Sequence, residues 1–403
     1  MSDTELSGVR MLYLVGGPGN AERVDVSDLF ARRIADTGMQ VDYVIFGLHE
    51  TRAWQEIEWR GAKAWVVGRS KRGGVVGALI SKFYELFSDL RTFWKALVGN
   101  YDIIQIRDKF VVGVLCLIAA KLRGRVFTYW ISYPFAECRI VDGKEGNSRF
   151  PRLSIMGGHT AMWLLYKIIM PFADHVFVQS EQMKSDIAEH GIEPLKMTPV
   201  PMAVGEELLD IAPSEVEADT ILYLGTLIRV RRLETLLEAL QIVRETRPNA
   251  QLIFVGEGDS PEDRQFLEAS TTELGLDDAV TFTGMLPMAK AHAHVSRAAV
   301  CVSPFYPIPI LLSTSPTKIS EYMALSRPVV ANAHPEQSLI IADSQAGICV
   351  EWSAENFAEA ILQLLNDPEA AEEMGRRGRE YVRENRTYAV VAPAVADVYR
   401  ELM

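Results

Sequence analysis

Apolar positions along the chain fall into two alternating rhythms. Short β-rich runs, "RMLYLVGG", "VDYVIFG", "AWVVG", "YDIIQIR", "VFTYWIS" and "HVFVQS", are each bounded by polar or turn-forming residues and read as buried parallel strands. Between them lie longer segments such as "VSDLFARRIADTG", with apolar residues at helical spacing and a closing glycine. That alternation predicts an α/β domain with helices on both faces of a mainly parallel sheet. The rhythm breaks in the proline- and acid-rich "PVPMAVGEELLDIAPSEVEADT" and then restarts with "TILYLGTL", "AQLIFVGEG", "AVTFTG", "AAVCVSPF", "RPVVAN" and "GICVEW". The expected architecture is therefore two doubly wound, Rossmann-like domains facing across a cleft. The first covers 1–200, a linker 201–218 and the second 219–385, with 386–403 a closing helix that packs back on the first domain. Ligands of such sheets bind at the carboxyl ends of the strands.

A length of 403 residues agrees with two cores rather than one. The formal net charge of −12 argues against a nucleic-acid partner. Cys116, Cys138, Cys301 and Cys349 lie far apart without metal-ligand spacing and read as thiols of a reducing compartment. The opening "MSDTELSGVR" lacks the character of a signal peptide, and charges or proline interrupt the most apolar stretch, "AMWLLYKIIMPFADHVFV". A soluble cytoplasmic protein is expected. Peripheral contact with the inner face of a membrane is a second option, through "LSIMGGHTAMWLLYKIIMPFADHV" and the basic "GRSKRGG"; an ordinary core or interdomain helix is the competing reading of the first stretch.

Candidate chemistry begins at "ILYLGTLIRVRRLETLLEAL". Gly225 follows a buried strand, and Arg229, Arg231 and Arg232 precede an amphipathic helix. Glycine admits close approach of a ligand, and guanidinium groups grip phosphate oxygens. Cations are disfavoured at a helix start, so their presence there points to an anion. Gly256 and Gly258 after the next strand are compatible with a ligand loop and equally with a tight turn. In "SPFYPIPILLSTSPTKISEYMALSRPVVA", Ser315 reads as an N-cap and Pro316 as the first helical residue, with the amides of 315–318 free to bind an anion. Glu321 on that helix either accepts bonds from a vicinal diol or pairs with Lys318 three residues earlier.

The amino-terminal "LVGGPGNAERVDVSDLFARRIA" fails the dinucleotide fingerprint, because Glu22 stands where a small residue is required. Gly16, Gly17 and Gly19 read instead as a ligand loop or a plain turn. Ser132, Tyr133 and Glu137, in "YWISYPFAECRIVDG" after another strand and before an expected long loop, suit ligand contact or an ordinary surface. No acidic pair or histidine cluster has metal-ligand spacing.

Taken in order, these segments resemble the retaining glycosyltransferases of family 4, which have the GT-B fold. The similarity is strongest from Thr220 to Ala331, in "YLGTLIRVRRLETLLEAL", "LIFVGEG", "VTFTG", "AAVCVSPF" and "SPTKISEYMALSRPVVA". It implies a sugar transfer from a nucleotide diphosphate to an acceptor hydroxyl, in polysaccharide or glycolipid synthesis. The acceptor would be a carbohydrate or lipid-linked glycan, and neither a cofactor nor an obligatory metal would be needed. It places Gly225, Gly256, Ser313, Thr314, Ser315, Thr317, Lys318 and Glu321 at the donor, Glu321 on its ribose, and Arg229 and Arg231 at the leaving diphosphate. Gly16, Gly17, Gly19, Ser132, Tyr133 and Glu137 fall on the acceptor side. The chain departs from the family in three ways. Ser313 occupies the place of the first of two glutamates eight positions apart, Arg231 stands for the usual lysine, and "YWISYPFAE" lacks the first-domain histidine. The missing glutamate motivates an alternative, a non-catalytic partner subunit that binds nucleotide sugar without turning it over.

Overall fold

The structure is a computed structural model that describes all residues except 1–5, 19–22, 48–53, 71, 73, 147 and 149. It divides into two compact units, one comprising Met1–Pro201 with Tyr388–Met403 and the other Met202–Thr387. Among the described residues, the first unit has one sheet built from β1 (Arg10–Pro18), β2 (Gln40–Phe46), β3 (Gln55–Trp59), β4 (Ala62–Val67), β5 (Ile103–Arg107), β6 (Val126–Trp130), β7 (His175–Val178) and β8 (Met197–Pro199). Their order across the sheet is β3-β4-β2-β1-β5-β6-β7-β8. Only the β3–β4 pairing is antiparallel. Connections run outward in both directions from the middle, so β1 and β5 flank the topological switch.

The second unit repeats the principle with β9 (Glu217–Leu224), β10 (Gln251–Val255), β11 (Val280–Phe282), β12 (Ala298–Ser303), β13 (Val329–Asn332) and β14 (Gly347–Val350), ordered β11-β10-β9-β12-β13-β14 and parallel throughout. Its switch lies between β9 and β12. The strands form where the alternation placed them, because both sheet faces are covered and continuous Val, Ile, Leu and Phe runs are tolerated only there. Ile221, Tyr223, Leu252, Phe254, Val300 and Val302 join Leu236, Leu240, Phe357 and Ile361 of the covering helices in one core. On the other side of this sheet, Leu222, Cys301 and Val329 pack with Ile319, Tyr322 and Met323.

Several local readings change. The residues after β6 form a helix over Phe135–Glu145 rather than a long loop, followed by a second helix over Pro151–Leu164. Gly143 and Gly158 let these two helices touch, since a Cβ on Gly158 would lie 2.8 Å from the Ala136 carbonyl oxygen. The stretch 201–218 is not free chain throughout: Val204 and Leu208 are buried and β9 already starts at Glu217. The segment Asp25–Ile34 is helical but wide, of the π type.

Gly256, with φ +143°, ends β10 against the turn that ends β9. A Cβ there would stand 2.0 Å from the Gly225 carbonyl oxygen. Gly256→Ala is therefore expected to destabilise the second unit by at least about 2 kcal/mol. The check is a lowered denaturant midpoint at unchanged slope.

Candidate functional site

At the carboxyl edge of the second sheet the chain leaves β9 through Gly225 and leaves β12 through Ser303 and Phe305. Tyr322 fixes the distance between these exits. Its buried hydroxyl accepts the Leu224 amide proton at 2.8 Å and donates to the Val302 carbonyl at 3.3 Å. Asn332 clamps the turn after β12, accepting from the Phe305 amide at 2.7 Å and donating to its carbonyl at 2.8 Å. Next to it, the Ser303 hydroxyl donates to Gln337. Each contact satisfies a backbone or polar group that the end of a strand would otherwise leave buried and unpaired.

Two cations meet above Gly225. A Cβ on that glycine, whose φ is +146°, would lie 3.3 Å from Lys318 Cε and 3.5 Å from Arg231 Nη1. Arg231 donates through Nη1 to the Tyr223 hydroxyl at 2.9 Å, while its Nε is buried without a partner. The Lys318 ammonium lies 4.4 Å from the Phe305 ring centroid and 5.3 Å from that of Tyr223. Neither cation pairs with a carboxylate among the described residues. Burial, and then the Arg231 charge, pushes the Lys318 ammonium well below the ordinary lysine range, with Glu321 acting in the opposite sense. The arrangement is a pair of basic side chains side by side at the strand ends, with no carboxylate paired to either among the described residues.

The other arginines of the loop diverge. Arg229 is exposed and stacks 4.2 Å over the Phe266 ring, and Arg232, in the left-handed region at φ +52°, pairs with Glu234 at 3.6 Å.

Pro316, not Ser315, is the N-cap of the helix Thr317–Ala324. The Ser315 hydroxyl instead accepts the Met202 amide proton at 2.9 Å. Ser313 and Thr314 turn their hydroxyls onto the carbonyls of Ile310 and Leu311, at 3.4 and 2.7 Å. All three serine and threonine side chains are buried, and Thr317 opens the helix beside them. Glu321 forms no ion pair with Lys318. Its Oε1 lies 3.9 Å from Nε2 of His292, on the helix Met288–Arg297, and that ring nitrogen is buried without a hydrogen-bond partner. Sequence reasoning missed His292, Tyr322 and Phe305; a lone histidine on an amphipathic helix and two aromatics in apolar runs carry no signal of a site.

In the first unit, Gly16 and Gly17 end β1 at the switch. A Cβ on Gly16 would come within 2.6 Å of the Arg107 carbonyl oxygen, and Gly17 takes φ +83°. Gly19, with Asn20 and Glu22, lies outside the described residues. Behind the two glycines, Arg107 is fully buried and paired with Asp25 at 2.7 Å and with Asp108 at 3.3 Å. Burial opposes the Asp25 charge, but Arg107 and Arg23 more than offset it and hold its carboxyl below the ordinary range. Ser132 donates both its amide, at 2.8 Å, and its hydroxyl to Asp108. Tyr133 packs against Phe135 with ring centroids 5.1 Å apart, and Glu137 accepts the Tyr166 hydroxyl at 2.5 Å. The structure thus brings Gly16 and Ser132 to one buried ion-pair cluster and ties Glu137 to a different element. Among the described residues, no group of three His, Cys, Asp or Glu side chains could hold a metal ion.

Residues 206–381 match the family described as "Glycosyl transferases group 1", and residues 26–203 match the "Glycosyl transferase 4-like domain". The α-maltose-1-phosphate synthase of Mycolicibacterium smegmatis is 23% identical over 61% of this chain and 68% of its own length. A GDP-mannose-dependent α-(1-6)-phosphatidylinositol monomannoside mannosyltransferase of Mycobacterium tuberculosis is 28% identical over 46% of this chain and 48% of its own. Matches to such relatives therefore span between about half and two thirds of their lengths. Among solved structures, sucrose-phosphate synthase from Thermosynechococcus elongatus superposes with a TM-score of 0.72 at 20% identity, covering 98% of this chain and 99% of that one. Anabaena HepE in complex with UDP and glucose gives 0.71 at 15% identity, covering 97% and 99%. The chain is a glycosyltransferase with the GT-B fold. Nothing among these relatives favours a non-catalytic subunit.

His334 supports this site from beneath and makes it sensitive to acid. Its Nδ1 accepts from the amides of Glu336 and Gln337 while Nε2 meets the Leu311 carbonyl at 2.9 Å, a pattern that needs the neutral ring. Burial lowers its pKa from 6.5 to about 4. A lowered folded-state value means the stabilisation is complete above pH 6.5 and is lost as pH falls toward 4, on the order of 3 kcal/mol by pH 4. His334→Asn keeps a capping acceptor that does not titrate. Its stability is expected to fall less than that of the wild type over this interval, as read from urea unfolding at stepped pH.

Proposed function

We propose that this chain is a retaining glycosyltransferase of the family 4 type, which moves a hexosyl group from a nucleotide-diphosphate sugar to an acceptor hydroxyl in polysaccharide or glycolipid synthesis. The observation that carries the reading is the convergence of Arg231 and Lys318 on Gly225 at the strand ends, with no carboxylate to balance them. A diphosphate supplies the missing charge. Glu321, a turn further along the same helix, is assigned to the donor ribose, with its carboxylate accepting from the two vicinal hydroxyls. Ser313, Thr314, Ser315 and Thr317 are assigned to the sugar end, where they shape the corner: the first three hydroxyls are engaged elsewhere, and the amides of Ser313 and Thr314 donate to the carbonyls of Pro309 and Leu311. Gly256 positions the Gly225 turn, and Arg229 contributes at longer range.

In the reaction, the bond from the anomeric carbon to the β-phosphate oxygen breaks and the diphosphate leaves with the electron pair. The acceptor oxygen bonds to the same face of the carbon, and its proton passes to the departing phosphate oxygen. Arg231 and Lys318 stabilise the charge as it develops, the task that a bound metal performs in other designs. Acceptor contacts are assigned to the first unit, around Gly16, Gly17, Ser132, Tyr133 and Glu137. The acceptor class is a carbohydrate or lipid-linked glycan, and the naming of one relative for a phosphatidylinositol mannoside supports the lipid-linked member of that class. We assign the protein to the cytoplasm and to the inner face of the membrane.

Thermal unfolding in UDP, GDP, ADP, dTDP and NAD tests the donor reading. One nucleoside diphosphate at 100 times its dissociation constant is expected to add about 2.7 kcal/mol, and this gain should vanish in Arg231→Ala and Glu321→Ala. A response to NAD alone sinks the reading, and binding without turnover of the matching nucleotide sugars leaves a partner subunit in its place. Lys318→Met separates function from structure. Removing the buried lysine beside the partly buried Arg231 is expected to stabilise the empty protein by about 1 kcal/mol while abolishing the response to diphosphate. A destabilised variant that still responds would refute the anion site.

A further inference from the structure

The helix Gly74–Val98 of the first unit is apolar on both sides. Its inner face places Tyr84, Phe93, Ala96 and Leu97 in the core of the unit. Its outer face carries Val76, Leu79, Phe83, Leu86, Leu90 and Trp94, each more than half exposed and spaced by three or four residues, so that they form one stripe. On this helix of 25 residues the stripe, from Val76 to Trp94, runs over roughly 27 Å. Soluble monomers rarely expose an apolar surface of this length without using it.

Charge identifies the occupant. The acids of this helix, Glu85 and Asp89, turn toward Lys109, which pairs with Glu85 and lies 3.9 Å from Asp89. Lys82 and Arg91 are exposed beside the stripe, Lys82 sharing Glu85 at 2.8 Å and Arg91 lying 4.7 Å over the Phe87 ring. Arg69 and Arg72 stand exposed just before the helix. In the same unit, the helix Pro151–Leu164 shows the same composition. Leu153, Met156 and Trp163 are more than half exposed beside Arg152 and His159, and residues 151–173 contain no acid.

We propose that the outer face of Gly74–Val98 docks in the plane of an anionic phospholipid surface. Apolar side chains enter the acyl boundary, and Arg69, Arg72, Lys82 and Arg91 meet the phosphates. A second copy is the poorer occupant, because a two-fold contact sets this cationic margin against itself. Among the described residues no helix is long and apolar enough to cross a membrane, so the helix lies on the surface. The inference deepens the lipid-linked acceptor reading above and places the first unit where such an acceptor is embedded.

The test is co-sedimentation of the full chain with phosphatidylcholine vesicles, with and without one third phosphatidylglycerol. Binding is expected to the anionic vesicles, to weaken with salt, and to fall at least tenfold in the triple variant Leu79→Gln, Phe83→Gln, Leu86→Gln. Arg72→Glu with Arg91→Glu should remove the preference for anionic lipid. Thermal stabilisation by the diphosphate that binds the wild type, if unchanged in the variants, shows that they are folded with an intact donor site. Vesicle binding without any diphosphate response counts against the donor reading alone. Failure of the wild type to bind either vesicle, or binding unaltered by the triple variant, overturns the docking face. A concentration-dependent dimer dissolved by the triple variant, with no vesicle binding, assigns the face to a second copy.

Discussion

Two like charges held side by side at the end of a parallel sheet are the constraint on which the second unit depends. Burial, and then the neighbouring Arg231, disfavours the charged form of Lys318, so the fold holds this pair at a cost. The fold tolerates this because the repulsion is confined to a few ångströms around Gly225, while the apolar cores on both faces of the sheet supply the stability. Under the donor reading proposed above, an arriving diphosphate would relieve that cost and gain two charge-assisted partners at once. On that reading, affinity for the anion would be stored in the unliganded protein as unfavourable electrostatics.

What keeps the two basic side chains together is a set of residues packed behind them. Tyr322 fixes the two strand exits, Asn332 clamps the following turn, and His334 holds the Leu311 carbonyl below the Ser313 corner. The helix bearing Lys318 and Glu321 is therefore oriented by its buried side, through Ile319, Tyr322 and Met323. Within one turn the helix carries buried supports and the partly buried Thr317 and Glu321, which is why polar and apolar residues are so closely interleaved there.

The sheet strands were legible because a strand covered on both faces has to be written as an uninterrupted apolar run, and each such run became a strand. The short or half-polar strands β3 and β8 escaped notice for the converse reason: one lies at an edge with alternating glutamates, and the other has three residues. The helix after β6 was lost because "FAECRIVDGKE" has almost no apolar stripe; it is held by close glycine contacts with its neighbour instead. At the candidate site, Gly225 and the arginines stood out locally. Which arginine turns inward could not be read, since that depends on the hydroxyl of Tyr223, inside the preceding strand, and on Phe305, which arrives from a strand end far away in sequence. Glu321 and Lys318 share a helix at pairing distance along the chain, yet one faces His292 and the other Gly225.

The segment Tyr388–Met403 belongs to the first unit although the whole of Met202–Thr387 precedes it. Tyr399 is fully buried, with its hydroxyl on Gln105 of β5 and its ring 5.4 Å from Phe177 of β7. During synthesis, β1 through β8 must wait on the ribosome with that recess unfilled while the entire second unit is translated and folds. The part of the protein made first is the part completed later, and in the interval it presents an open hydrophobic slot to the cell. Expression of the first unit alone would prolong that state indefinitely, which makes the isolated half a natural client for chaperones.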